Sequence, residues 1–297
     1  MTKSDLFPGF GSQFIEIPSG KFFARTGGKT SSPAIVLLHG FPETHASWHK
    51  IAPALTDTHR VICIDLKGYG QSDAPHENSE HTSYSKRVMG QEVIQVMKKL
   101  GHETFAAAGH DRGALVAYRI ALDHPEVVEK LVILDNLPTS VIWDMMAVDP
   151  NFVTHWRSMA APAPGPENTM DREYMENMLR VHTADGTLDC FDKQVLENFR
   201  DNWSQPARVH AFCEDYRAGA CADPDADRVD LAAGKVISCP TLILWGEVFL
   251  GQAEESPLVT WQRTFAPNAI GVELPGGHFN AEERPMETLS ALQAFLA

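Results

Sequence analysis

Short uninterrupted apolar runs alternate along this chain with segments whose apolar residues recur every three or four positions. Residues 34–38, 61–64, 105–108, 131–134 and 241–244 are runs of the first kind, and such runs suit strands buried on both faces of a parallel sheet. Met89, Val93, Val96, Met97 and Leu100 fall on one face of a helix predicted over 84–100. Further helical patterns cover 114–124, 257–265 and 283–296, and 272–274 reads as a last strand. Near the N-terminus, residues 13–16 and 21–24 flank Pro18-Ser19-Gly20, which predicts an antiparallel hairpin at a sheet edge.

Alternation of this kind predicts an α/β fold: a mostly parallel sheet flanked by helices, with chemistry at the carboxyl ends of the strands. The pattern breaks between Leu137 and Val229. There the buried runs vanish, prolines at 138, 150, 162, 164 and 166 punctuate the chain, and helices are expected only near 172–184 and 193–203. The break predicts an inserted helical cap, which divides the chain into an α/β core over 1–136 and 230–297 and a cap over 137–229.

Composition narrows the partners. The 297 residues carry 25 Lys and Arg against 39 Asp and Glu, a formal charge of -14, which opposes binding to nucleic acid or to an anionic membrane surface. An anionic substrate would therefore need a local cationic pocket. Five scattered cysteines, at 63, 190, 213, 221 and 239, lack metal-binding or disulfide-framework spacing. No apolar stretch reaches the length of a membrane span, and the first 20 residues have no signal-peptide pattern, so a cytoplasmic protein without metal or cofactor is expected.

The residues at the strand ends carry the chemistry. Gly109-His110-Asp111-Arg112-Gly113 follows the run at 105–108 and precedes a helix. This is the outline of a G-x-S-x-G nucleophile elbow with aspartate at its centre. A carboxylate there can displace a leaving group from saturated carbon and form an ester that water must open, although an aspartate in this place can also serve simply as a helix N-cap. His278, in the glycine-rich turn after the last strand, can act as the base for that water. Asp135, at the end of the strand after the elbow helix, is the first choice to orient the imidazole, and Glu247 the second. The backbone N–H groups of Phe41, in the turn His39-Gly40-Phe41-Pro42, and of Arg112 are the expected donors to the oxyanion.

Over nearly its whole length the chain resembles the α/β-hydrolase superfamily. Gly109 to Ala114 together with His155-Trp156 and the stretch Cys213-Glu214-Asp215-Tyr216-Arg217-Ala218-Gly219 is similar to the fluoroacetate or haloacetate dehalogenases. The resemblance implies Asp111 as nucleophile, His278 as base, Asp135 as its acid, and Phe41 and Arg112 as oxyanion donors. It also implies that Arg112 holds a substrate carboxylate, that His155, Trp156 and Tyr216 grip the departing halide, and that the protein is a homodimer. Two departures stand out: Leu115 occupies the place of a second family arginine, and His182 the place of a cap tryptophan.

The expected function is hydrolytic dehalogenation of a short 2-halo acid, with a small-molecule substrate and water as the only partners. Epoxide hydrolysis uses the same nucleophile and base, but that family typically opens the ring with two cap tyrosines. Tyr216 can be one of them, and none lies between Thr139 and Glu173 to be the other. A third reading is a non-catalytic ligand-binding protein on the same fold.

Overall fold

The computed structural model describes residues 5–75 and 80–297. Eight strands form one sheet: β1 Gly11–Ile17, β2 Gly20–Gly27, β3 Ala34–Leu38, β4 Arg60–Ile64, β5 Phe105–His110, β6 Val128–Leu134, β7 Thr241–Gly246 and β8 Ile270–Leu274, in the order β1-β2-β4-β3-β5-β6-β7-β8. Only β2 runs against its neighbours; every pairing from β4 to β8 is parallel.

Alternation along the buried strands builds two cores at once. Val36, Leu38, Ile62, Ile64, Ala107, Leu131, Ile133 and Ile243 face one side, and Ile35, Leu37, Val61, Cys63, Ala108, Val132, Leu242 and Leu244 face the other. This is the period of two that a pleated strand imposes. Helices α1 Ala52–Leu55, α2 Lys86–Lys99 and α3 Arg112–Asp123 follow the early strands. α2 and α3 cover the first face. Trp48 and α1 pack on the second.

Six helices lie between β6 and β7: α4 Thr139–Val148, α5 His155–Met159, α6 Arg172–His182, α7 Lys193–Trp203, α8 Pro206–Ala220 and α9 Ala222–Ala232. The division at 229 falls inside α9. Trp156, Met175, Leu179, Phe199 and Phe212 of this segment are continuous with the apolar core under α2 and α3. The chain closes with α10 Pro257–Arg263, α11 Asn280–Glu283 and α12 Pro285–Leu296, α12 completing the second face through Leu292 and Leu296. Among the described residues no helix is long and apolar enough to cross a membrane.

The crossing of β5 into α3 is the tightest part of the fold. A Cβ on Gly109 would lie 2.3 Å from the Gly113 carbonyl oxygen, and one on Gly113 would lie 2.2 Å from the Leu38 carbonyl oxygen. Those neighbours are backbone of α3 and of the central strand β3 and cannot give way. Gly113→Ala is therefore expected to cost at least about 2 kcal/mol. In thermal unfolding the variant should melt several degrees below the parent, and equal melting temperatures would refute the close-approach argument.

Candidate active site

Asp111 sits between β5 and α3 with φ 47° and ψ −116°, a conformation that costs a non-glycine residue strain and persists only where its surroundings impose it. Three contacts impose it here. The Asn136 side-chain amide donates to the Asp111 carbonyl at 2.7 Å, the Asp111 N–H donates to Leu134 O at 3.1 Å, and the Phe41 N–H donates to Asp111 Oδ1 at 2.9 Å. Asp111 makes no side-chain bond to the start of α3, so its carboxylate does not serve as a helix cap. Burial alone would raise its carboxyl pKa. The charges of His278, His110 and Arg112, with the Phe41 N–H, outweigh burial and hold it below the ordinary value.

At the end of β6, Asp135 also has positive φ, 50°. Its Oδ1 accepts the Gly246 N–H at 2.9 Å, and its Oδ2 accepts His278 Nδ1–H at 2.5 Å. The latter bond fixes the tautomer, so Nε2 is the free nitrogen, and it lies 3.9 Å from Asp111 Oδ2. Four strand ends, those of β3, β5, β6 and β8, thus bring Phe41, Asp111, Asp135 and His278 together. Glu247, the second choice for the orienting acid, has no hydrogen bond to the imidazole; that bond is made by Asp135.

The turn after β3 is braced by a buried ion pair. His110 Nδ1 meets Glu43 Oε2 at 3.0 Å, the same carboxylate oxygen accepts the Gly40 N–H at 3.0 Å, and His110 Nε2–H donates to the His278 carbonyl at 2.9 Å. Burial opposes charge on His110, but Glu43, Asp111 and Asp135 overcome it and push its pKa up to about 9. His110 is therefore an imidazolium tying the turn after β3, the β5–α3 crossing and the loop that carries His278 to one another.

The inserted helices supply the opposite wall of a cavity of about 40 Å³ lined by Asp111, His278, Phe41, His155, Trp156, His182, Tyr216, Met178, Phe249 and others. The rings of Trp156 and Tyr216 stand 5.7 Å apart at 88°, and His155 is 5.8 Å from Tyr216. Trp156 and Tyr216 both line the cavity, each bringing one polar hydrogen, the indole N–H and the phenol O–H. Burial first, and His182 second, pull the His155 pKa down to about 3, so this imidazole is neutral and keeps a single N–H. Pockets for drug-sized ligands run to hundreds of Å³; this one admits a few heavy atoms.

Arg112 is not among the cavity-lining residues. Its guanidinium is wholly buried and binds Asp215 of α8, Nε to Oδ2 at 3.2 Å and Nη2 to Oδ1 at 2.7 Å and to the carbonyl at 2.9 Å. It lies 4.1 Å from the Tyr216 ring centre and 4.8 Å from that of Trp156, so it props both rings from behind. Asp215 also takes the Tyr69 hydroxyl at 2.8 Å and the Lys86 ammonium. Only Nη1 of Arg112 has no partner. Leu115 is buried in the apolar core. The expectation that Arg112 offers an open guanidinium to a carboxylate thus reduces to one unpaired N–H edge.

Sequence reasoning did not identify Glu43, His110, Asn136 or Asp215. The traces available were a glutamate directly after the His39-Gly40-Phe41-Pro42 turn and a histidine inside the elbow, and nothing in the sequence paired them. His182 was identified only as a departure. Its Nδ1–H donates to Met178 O at 2.7 Å, and its carbonyl accepts the His278 N–H at 2.8 Å. Burial and the neighbouring His278, partly offset by Met178, bring its pKa down to about 4. As a neutral ring with Nδ1–H engaged, it presents an acceptor to the cavity, so it cannot donate to halide or carboxylate.

A family model of the alpha/beta hydrolase fold matches residues 33–285. The chain is 37% identical to a fluoroacetate dehalogenase of Burkholderia sp., over 98% of this chain and 95% of that protein. It is 26% identical to a soluble epoxide hydrolase of a Corynebacterium species, over 89% of this chain and 90% of that protein. Among solved structures, a candidate alpha/beta hydrolase from Nostoc sp. superposes with a TM-score of 0.92 at 40% identity, covering 97% of this chain and 98% of the other.

The titration of His110 gives this site a signature in stability. Its folded pKa of about 9 lies above the ordinary 6.5, so its contribution is full below pH 6.5 and is lost as pH rises through 9. His155 and His182, held low, have the opposite sign and act only below pH 6.5. Chemical unfolding from pH 6.5 to 9.5 should show a loss on the order of 2–4 kcal/mol, and Glu43→Gln should flatten that slope. A slope unchanged in Glu43→Gln would remove the ion pair from the account.

Proposed function

The chain belongs to the alpha/beta hydrolase family, and we propose that it is a dehalogenase of short 2-halo acids of the haloacetate type, working through an ester on Asp111. The observation that carries this reading is the facing arrangement in a cavity of about 40 Å³: an ionised aspartate on one wall, and Trp156, Tyr216 and His155 on the other.

In the first step Asp111 Oδ2, the oxygen not held by Phe41, attacks the carbon bearing the halogen. The carbon–oxygen bond forms as the carbon–halogen bond breaks, and the halide leaves with the bonding pair. Fluoride in particular needs directed donors for its developing charge, which an indole N–H, a phenol O–H and an imidazole N–H supply on side chains of few rotamers. Burial, the largest influence, keeps the Tyr216 pKa well above its ordinary value, so the phenol stays protonated and able to donate. In the second step water attacks Cγ of the ester and gives a proton to His278 Nε2, while Asp135 stabilises the imidazolium. Charge gathers on Oδ1, which accepts the Phe41 N–H at 2.9 Å. As the Cγ–O bond to the product breaks, His278 returns its proton to the departing alkoxide, giving the 2-hydroxy acid, and the remaining water proton goes to solvent from Asp111, which keeps one water oxygen.

Arg112, which the resemblance makes the holder of the substrate carboxylate, does not line this cavity; in this reading its charge, 4.1 Å from the Tyr216 ring centre, favours an anionic substrate without the two-arginine clamp the resemblance leads one to expect. Loss of one charge-assisted bond corresponds to roughly ten- to a hundredfold in affinity. Epoxide opening is less well served. Tyr216 is the one tyrosine among the cavity-lining residues, and Tyr174, the next candidate in α6, does not line the cavity.

Many turnovers of chloroacetate or fluoroacetate in heavy-oxygen water should release halide and place label in the peptide that contains Asp111, whereas Asp111→Asn should do neither. Label acquired only with an epoxide, without halide release, would move the assignment to epoxide hydrolysis. Trp156→Phe should lower kcat/KM on fluoroacetate about a hundredfold and on bromoacetate less, because bromide leaves with less help. Equal losses on both halides would contradict a halide-binding role for Trp156.

A further inference from the structure

We infer that His182 is a second acceptor for the hydrolytic water, holding it between Nε2 of His182 and Nε2 of His278 beside the Asp111 ester. The inference rests on the reading of Asp111 as an ester-forming nucleophile, and on no particular leaving group.

The geometry supports it from three sides. His182 lines the same cavity as Asp111 and His278, and its ring centre is 5.8 Å from that of His278. Two hydrogen bonds in series through one oxygen span up to roughly 5.6 Å, close to the separation of the two ring centres, with the two Nε2 atoms placed on either side of that oxygen. The tautomer is fixed: Nδ1–H is committed to Met178 O, which leaves Nε2 a lone pair and no proton. A water has two hydrogens. One goes to His278 as the attack proceeds, and the other needs an acceptor that will not compete for the transferred proton. His182, with its pKa held at about 4 by burial and by His278, is such an acceptor. Phe249 closes the outer side, 4.8 Å from His278 and 5.2 Å from His182, so the water is confined near the two imidazoles.

His155 does not fill this place as well. It is 5.5 Å from His182 and 5.8 Å from Tyr216, toward the wall assigned to the halide. His182 is also tied to the base through the main chain, because its carbonyl accepts the His278 N–H at 2.8 Å. That backbone bond survives replacement of the side chain, so a side-chain variant tests the acceptor and leaves the position of the base alone. Atoms balance as before: the water oxygen bonds to Cγ, one proton goes to His278 Nε2 and from there to the departing alkoxide oxygen as its bond to Cγ breaks, and the second proton is released to solvent from the regenerated Asp111 carboxyl. His182 only accepts a hydrogen bond.

Rapid-quench kinetics of His182→Phe with chloroacetate, and in parallel with propylene oxide, test the inference. The expected result is an ester-forming step close to that of the parent and a hydrolytic step slowed about tenfold or more. The ester should accumulate on the Asp111 peptide and be visible by mass spectrometry, with a burst of chloride equal to the enzyme concentration. His182→Gln, which returns an acceptor, should recover part of the hydrolytic rate. Equal slowing of both steps, or no slowing of hydrolysis, would overturn the role of His182. A parent enzyme that forms no ester from either probe would instead overturn the nucleophile reading, so the two failures are distinguishable.

Discussion

The Arg112–Asp215 ion pair fastens the inserted helices to the nucleophile. Arg112 is the first residue of α3 and Asp215 lies in α8, and both are fully buried. Burial penalises the Asp215 charge, but Arg112 and Lys86 more than compensate and hold its carboxyl far below the ordinary range. Such a pair adds little beyond well-packed apolar residues, yet removing one partner is costly, on the order of 3–5 kcal/mol. It therefore acts chiefly as a register. With α8 pinned to the β5–α3 crossing, Tyr216 of α8 and Trp156 of α5 both rest on the guanidinium and line the cavity together with Asp111.

Charge on the other side of Asp111 is sorted by partner. His110 has Glu43 beside it and is cationic; His155 and His182 have no carboxylate contact of that kind and are neutral. The cation sits behind the nucleophile, where it favours the ionised aspartate and clamps two loops. The neutral rings face the cavity. Identical side chains thus take different roles because their nearest acceptors differ, a carboxylate in one case and a backbone carbonyl in another.

The buried runs at 34–38, 61–64, 105–108, 131–134 and 241–244 mark strands in the structure, and 193–203 coincides with α7. These were readable because burial on one or two faces writes its period directly into the sequence. α8 was not. Glu214, Asp215 and Arg217 are buried with their ion partners alongside Phe212, Cys213 and Tyr216, so polar and apolar residues share every face and the helical period disappears. The same reason separates the site residues. Asp111, Asp135 and His278 stand at strand ends, where position alone suggests chemistry. The use made of Arg112's side chain depends on a carboxylate about a hundred residues away, and no local pattern reports it.

Leu115 shows how such long-range pairing limits substrate recognition. Lying in the core rather than on the cavity wall, it occupies a site where an arginine would bury a charge without a counter-ion, since Asp215 is already shared by Arg112 and Lys86. A cation at position 115 would thus need an acceptor of its own, as Arg119 of the same helix has in Asp230 at 2.7 Å. With leucine there, the helix keeps its apolar packing whether or not substrate is bound.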